Sequence, residues 1–348
     1  MNDFTSNIIN SDASCLDALR MLDMEKSNQT LFVLNTNGQL IGTVTDGDIR
    51  RGLIKGFSLD SAIVSFCNSK FSYINGNIDV EVIRKLKKEG IKVLPKLTGD
   101  GKIEKIFNLS RLNSILPVHA VIMAGGRGER LRPLTDNLPK PMLPLGGKPI
   151  MEHNIDRLIS YGIQNITISV GYLSDIIIRY FGDGSSKGVN ITYVNEEHPL
   201  GTIGSLSQIP DISSDTVLVM NSDLFTNIDF ESFYLDFLTA EALMAVASIP
   251  YTVEIPYAIM DLKENEIISF TEKPKKTYFA NAGIYLLNKT AINFIPQNQF
   301  YNATDLMDLI NKSGGKLIHS PISGYWIDIG KRDDYNKAIE IIKHTKVI

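Results

Sequence analysis

An apolar run, Ala120-Val121-Ile122-Met123-Ala124, enters a loop containing Gly125, Gly126 and Gly128. Glycine lets backbone N–H groups approach a polyphosphate without steric cost. Four cations follow within fourteen residues, Arg127, Arg130, Arg132 and Lys140, and Pro139, Pro141 and Pro144 stiffen the tail. No Gly-Lys-Ser/Thr closes the loop, as a P-loop requires. The G-x-G-x-x-G spacing of a dinucleotide fold is missing too. Two carboxylates complete the chemistry. Asp223 ends the run Thr216-Val217-Leu218-Val219-Met220-Asn221-Ser222, and Asp328 lies 105 residues later in Trp326-Ile327-Asp328-Ile329-Gly330. Two Asp oxygens with phosphate oxygens and water suit Mg²⁺, a hard octahedral cation. Either Asp alone fits a helix cap or turn better.

These groups need elements that carry them to one place. Strand patterns at Ile166–Gly171, Asn190–Val194 and Val217–Met220 alternate with a helix pattern at Ser174–Phe181, and His119–Ala124 reads as a buried strand. That alternation predicts an α/β fold with a mostly parallel sheet covered on both faces. Ligands of such sheets sit beyond the carboxyl ends of the strands.

The first third contains a repeat at an offset of 63 residues: Asn37-Gly38-Gln39-Leu40 matches Asp100-Gly101-Lys102-Ile103. Each copy reads helix, strand, hairpin, strand, helix, with helices expected from Ser14 and from Asn77 and tight turns at the two glycines. The first copy ends Gly42-Thr43-Val44-Thr45-Asp46-Gly47-Asp48. This copy resembles a CBS domain, and its nucleotide motif of a Gly, a Thr or Ser and an Asp three residues later implies that Thr45, at a helix start, donates to a phosphate and that Asp48 accepts from both hydroxyls of a ribose. Asp48 equally suits electrostatic support of that helix start. The second copy has Asn108 and Arg111 at these places, and Arg111 cannot accept from a ribose. A helix pattern from Ser110 stops before Pro117.

The front region resembles a tandem CBS-domain pair, through Gly42, Thr45 and Asp48, with copies at 1–57 and 58–116. Residues 117–348 resemble the sugar-1-phosphate nucleotidyltransferases. The pattern G-G-x-G-x-R-L-x-P-x-T followed by P-K-x-x-x-P carries that likeness. The resemblance implies a Rossmann-like nucleotidyltransferase sheet and a reaction joining a nucleoside triphosphate to a sugar 1-phosphate. It implies Mg²⁺ on Asp223 and Asp328, nucleotide contacts from Ala124, Gly125, Gly126 and Gly128, and catalytic roles for Arg130, Lys140 and Asp223. Phe270-Thr271-Glu272-Lys273-Pro274 matches the family's E-K-P motif, which implies that Glu272 and Lys273 hold the sugar phosphate. Asn281 and Gly283 resemble its sugar-pocket strand. The family's Tyr-Gly is Tyr257-Ala258 here, which places an extra methyl toward the sugar.

The segment Glu196-Glu197-His198-Pro199-Leu200-Gly201-Thr202-Ile203-Gly204 resembles the family's base-recognition loop. Gly201, Thr202 and Gly204 imply backbone contacts to a flat base. Glu197 stands where the family reads the base. A carboxylate only accepts, which suits the two adjacent donors of guanine, so GTP is expected. A CBS pair ahead of a compact transferase is similar to the glucosamine-1-phosphate guanylyltransferases of bacterial legionaminic acid synthesis. Mannose-1-phosphate guanylyltransferase, a thymidylyl-, uridylyl- or cytidylyltransferase, and a non-catalytic nucleotide sensor are the alternatives. A homo-oligomer and a regulatory nucleotide at the CBS pair are also expected.

Composition sets the outer limits. The chain has 348 residues, 35 Lys plus Arg against 39 Asp plus Glu, and two cysteines. That charge gives no basic footprint for nucleic acid, and two cysteines build neither a stapled scaffold nor a four-thiolate site. No apolar run approaches a membrane span, and the start Met1-Asn2-Asp3-Phe4 lacks a signal-peptide pattern. A cytoplasmic enzyme of two or three domains is expected.

Overall fold

A computed structural model describes residues 7–24 and 30–344. The chain forms two compact units, one made chiefly of residues up to Pro117 and one from Val118 onward.

The first unit contains β1 (Ile8–Asn10), α1 (Cys15–Met24), β2 (Thr30–Leu34), β3 (Leu40–Thr45) and α2 (Asp46–Ile54), then β4 (Ile74–Asn75), α3 (Val80–Lys88), β5 (Val93–Leu97) and β6 (Ile103–Asn108). Its two three-stranded sheets are alike: β1 is parallel to β2 and β2 antiparallel to β3, as β4 is to β5 and β5 to β6. Gly38 and Gly101 take φ of 77° and 82° at the two hairpins, the left-handed geometry that tight turns demand. Leu40 N–H donates to Gly101 O at 3.0 Å, and Phe32, Leu40, Leu97 and Ile106 form a core shared by both copies.

The copies part at two points. The cap of α3 is Asp79, whose carboxylate accepts from Glu81 N and Val82 N, rather than Asn77. The expected second helix of the second copy is missing. Asn108 Oδ1 accepts from Ser110 N at 3.0 Å, closing a local turn, and the chain reaches Pro117 without forming a helix.

The second unit is built on a seven-stranded sheet. Its strands are β7 (Val118–Ala124), β10 (Asn165–Val170), β11 (Asn190–Asn195), β12 (Thr216–Asn221), β14 (Met244–Glu254), β17 (Lys275–Asn288) and β18 (Leu317–Pro321), in the order β11-β10-β7-β12-β17-β14-β18. All run parallel except β17. Buried parallel strands need apolar residues on both faces, and β7 and β12 supply them. The hairpin β8 (Pro144–Leu145) and β9 (Lys148–Pro149), helices α4 (Ile150–Ser160), α5 (Ser174–Phe181), α6 (Phe230–Thr239), α7 (Ala303–Lys312) and α8 (Arg332–His344), and the pair β13 (Leu224–Thr226) with β19 (Trp326–Asp328) complete the unit. Val121, Val217, Val219, Val246 and Leu287 pack with Ala303, Leu306 and Ile310 of α7 in one core. The outer ends of β14 and β17 and the hairpin β15 (Ile259–Lys263)–β16 (Glu266–Thr271) project as an exposed ribbon, with Tyr257 75 % and Phe270 72 % exposed.

His119, in β7, is buried. Its Nδ1 accepts from Ser213 N at 3.3 Å, so the proton lies on Nε2, which faces Thr167 Oγ1 at 2.8 Å. Burial holds this imidazole below its ordinary pKa of 6.5. Between the folded value and 6.5 the unfolded chain binds the proton and the folded one does not, so stability falls as the pH drops below 6.5. The unfolding free energy from urea titration should therefore decline from pH 7 to pH 5.5, by at most about 1.4 kcal/mol per pH unit for this group. His119→Gln should flatten that decline. An unchanged slope in the variant would exclude the role.

Candidate active site

β7 ends in the glycine loop, and the glycines are set by what lies against them. A Cβ on Gly125 would lie 2.7 Å from Glu196 Oε1. Gly128 has φ 64° and would place a Cβ 2.9 Å from the Lys140 Cβ, so the loop folds back onto Lys140. Thr135 Oγ1 donates to Gly128 O at 2.9 Å and fixes that fold-back.

The neighbouring strand brings the acid. Ser222 N donates to Met123 O at 3.1 Å, which ties the end of β12 to the end of β7. Asn154 of α4 donates to Ser222 O at 3.3 Å from the other side. The distance in sequence between the two aspartates is then removed by one pairing. Leu224 of β13 stands opposite Asp328 of β19, and Ile329 N donates to Asp223 O at 3.1 Å. Trp326 Nε1 donates to Ala282 O at 2.8 Å and anchors β19.

Lys140 joins the two acids. Its ammonium is hydrogen-bonded to Asp223 Oδ2 and lies 3.8 Å from Asp328 Oδ1. Asp223 Oδ1 and Asp328 Oδ1 are buried and accept no hydrogen bond. Burial pushes the Asp328 carboxyl above its ordinary range, and the Asp223 charge adds to this while Lys140 and Arg130 oppose it. Arg130 lies over Gly330, where a Cβ would stand 3.3 Å from its Nη2. A side chain there would push the guanidinium by a few tenths of an ångström.

These parts open on a cleft of about 810 Å³ beyond the strand ends. Ala124, Gly125, Gly126, Gly128, Arg130, Lys140, Glu197, Gly201, Thr202 and Asp223 all line it, and Gly330 brings the Asp328 segment to its edge. Other predicted residues are elsewhere. Glu272 and Lys273 sit at the exposed turn between β16 and β17 and do not line the cleft. Asn281 spends its amide on its own strand, accepting from Gly283 N at 2.9 Å and donating to Tyr285 OH at 3.0 Å. Gly283, at φ 69°, makes room for Asn221, whose Nδ2 would be 2.5 Å from a Cβ there. In the first unit, Asp48 accepts from Thr45 N at 2.9 Å and Thr45 Oγ1 at 2.6 Å and from Arg51 Nη2 at 2.5 Å. It closes a capping box on α2. A Cβ on Gly42 would meet Cys67 Sγ at 2.1 Å, so that glycine admits a neighbouring segment.

The base loop differs from the sequence expectation in one respect. Gly201 and Gly204 would place Cβ atoms 2.6 Å from Tyr301 O and 2.5 Å from Gln299 O. The room they leave is taken by backbone ahead of α7. Thr202 Oγ1 accepts from Ala303 N at 2.7 Å, capping that helix. Glu196 proves more central than Glu197: it accepts from Ser169 Oγ at 2.6 Å and from Leu200 N at 3.3 Å, joining the base loop to β10 beneath Gly125. Sequence reasoning missed this, and it missed Tyr172, whose hydroxyl donates to Asp136 O at 2.8 Å. The only prior signal for Tyr172 was its place just after a strand, behind Gly171.

The nucleotidyl transferase family model matches residues 119–345. The chain belongs to that family. A CBS domain model matches residues 6–55 ahead of it. Among curated members, the chain is 33 % identical over 226 residues to the mannose-1-phosphate guanylyltransferase of Mycobacterium tuberculosis, covering 63 % of this chain and 62 % of that protein. It is 31 % identical over 240 residues to the UTP–glucose-1-phosphate uridylyltransferase of Synechocystis, covering 63 % of this chain and 62 % of that protein. The chain thus spans somewhat under two thirds of the length of these relatives. The crystal structure of HddC from Yersinia pseudotuberculosis complexed with GMP-PN is similar at 27 % identity and a TM-score of 0.51, over 65 % of this chain and 99 % of that one. The family's mixed α/β sheet is the one described above. No helix among the described residues is long and apolar enough to cross a membrane.

Proposed function

We propose that this family member transfers GMP from GTP to a sugar 1-phosphate, with release of pyrophosphate. One observation carries the reading. The β13–β19 pairing sets Asp223 and Asp328 side by side, each with a buried oxygen that accepts nothing, at the mouth of a glycine-walled cleft that also holds Arg130 and Lys140. Buried acceptors are rarely left without a partner unless one arrives with a ligand.

Those two oxygens fit Mg²⁺. Among the described residues no third His, Cys, Asp or Glu joins them, which leaves positions for phosphate oxygens and water. When bound, magnesium supplies charge neutralisation and orientation of the triphosphate. The chain's own residues do the rest. Backbone at Gly125, Gly126 and Gly128 gives the phosphates a wall without side chains. Arg130, held over Gly330, stabilises the pyrophosphate as the bond from the α-phosphorus breaks. Lys140 holds the α-phosphate or the incoming phosphate. The attacking sugar-phosphate oxygen is already anionic, so no general base is needed and catalysis reduces to positioning and charge stabilisation. The E-K-P motif supports Glu272 and Lys273, on the exposed ribbon outside the cleft, as the sugar-phosphate contacts, and the family's sugar-pocket strand supports Asn281 and Gly283.

Guanine is supported by Glu197, an exposed acceptor-only side chain on the cleft wall. The guanylyltransferase among the relatives and the GMP-PN complex of HddC support it as well. Glucosamine 1-phosphate, as in legionaminic acid synthesis, is the proposed sugar substrate and mannose 1-phosphate the nearest competitor. Residues 1–57 and 58–116 are proposed as a CBS pair that takes a regulatory nucleotide at Gly42, Thr45 and Asp48, in a cytoplasmic homo-oligomer. Initial rates of pyrophosphate release with four nucleoside triphosphates against both sugar phosphates test the substrates. GTP should lead by at least about tenfold, the reach of one lost charge-assisted hydrogen bond. A clear lead for UTP or dTTP would sink the guanine assignment.

A further inference from the structure

Lys140 is buried, at 9 % exposure, and bridges the two carboxylates assigned to the metal. Its place is built rather than incidental. Pro139 and Pro141 flank it in a short 3₁₀ turn, and its Cβ packs where Gly128 lacks one. The ammonium therefore neutralises the acidic pair when the cleft holds no substrate. A divalent cation arriving alone must displace that ammonium, and would leave it buried beside a larger positive charge. A triphosphate changes the balance. Its oxygens offer the ammonium a new anionic partner and at the same time complete the ligand set of the cation.

We propose that Lys140 is a placeholder cation that couples metal binding to nucleotide binding. It keeps the Asp223–Asp328 pair from holding a divalent ion until the triphosphate draws it away. The metal and the nucleotide then bind with positive coupling, and free metal does not charge the site in advance. This rests on the reading of Asp223 and Asp328 as the metal ligands. It goes beyond that reading by giving the lysine a role before any chemistry.

The test is Mn²⁺ binding to the full-length, nucleotide-free protein, read from the electron paramagnetic resonance signal of free Mn²⁺. The wild type should bind weakly. Lys140→Met, which removes the charge at similar length, should bind at least about tenfold more tightly, within the usual range of coupling between sites. Adding Asp223→Asn to Lys140→Met should abolish that gain. Lys140→Arg keeps the charge and should stay as weak as the wild type. Circular dichroism confirms that each variant is folded, and the Arg variant separates charge from repacking. Equal, tight Mn²⁺ binding by wild type and Lys140→Met overturns the placeholder while leaving the metal ligands in place. A gain that survives Asp223→Asn, or that Lys140→Arg shares, also overturns it. If neither wild type nor Lys140→Met binds Mn²⁺, and Mn²⁺ bound with GTP is indifferent to Asp223→Asn, the metal reading falls with it.

Discussion

Asp223→Ala should reduce pyrophosphate release by about a thousandfold, the upper range for removal of one preorganised electrostatic group. The side chain supplies one of the two buried free oxygens and the main anionic partner of Lys140. Without it, Asp328 alone faces the cleft, and the lysine loses the contact that sets its height against the glycine loop. The fold should survive, because the local framework uses backbone. Ser222 N still meets Met123 O, and Ile329 N still meets Asp223 O. Steady-state rates with a far-ultraviolet spectrum check both halves of the expectation. Wild-type turnover in a folded Asp223→Ala protein would refute the metal role.

Gly125→Ala should be damaging by a different route. The added methyl would stand within 2.7–2.9 Å of all three carboxylate atoms of Glu196. That carboxylate cannot retreat without releasing Ser169 Oγ on one side and Leu200 N on the other. Both walls of the cleft, the glycine loop and the base loop, therefore shift together. A displacement of about 1 Å at reacting groups costs about a hundredfold in kcat/KM. The loss should fall mainly on the KM for the nucleotide, and Glu196→Ala, which removes the same two contacts, should show a loss of the same kind. Nucleotide KM in the two single variants and the double variant decides the point. A double variant that loses much more than either single one would mean that the methyl acts on something other than Glu196.

How much of this was legible depended on the range of the interaction. The buried strand at residues 118–124 and the helix Ser174–Phe181 could be read, because each is specified by its own side-chain pattern. The glycine loop was equally plain, since its composition has few alternative uses. The residues that failed to read clearly are those whose meaning is supplied from far along the chain. Gly201 and Gly204 look like contacts for a ligand, yet they accommodate backbone at residues 299–301, and no local pattern encodes that approach. Glu196 looked like a lesser companion of Glu197 until β10 supplied Ser169. The missing second helix in the front repeat is the reverse case. A local side-chain-to-backbone bond at Asn108 competes with helix initiation, and periodicity does not see such bonds.

The order of strands in the large sheet has a consequence for how the protein is made. β14 is synthesised before both of its neighbours, since β17 and β18 follow it along the chain. The apolar segment from Met244 to Ala247 leaves the ribosome before either of its partner strands, while the edge of β12 that β17 will take is still open, and it must stay uncommitted while about forty further residues emerge. The repeats ahead of Pro117 carry no such debt, because every strand there pairs with a neighbour close in sequence. During synthesis the front unit can therefore be complete while the transferase sheet is still half assembled. The interval before β17 arrives is when the nascent chain is most exposed to wrong partners.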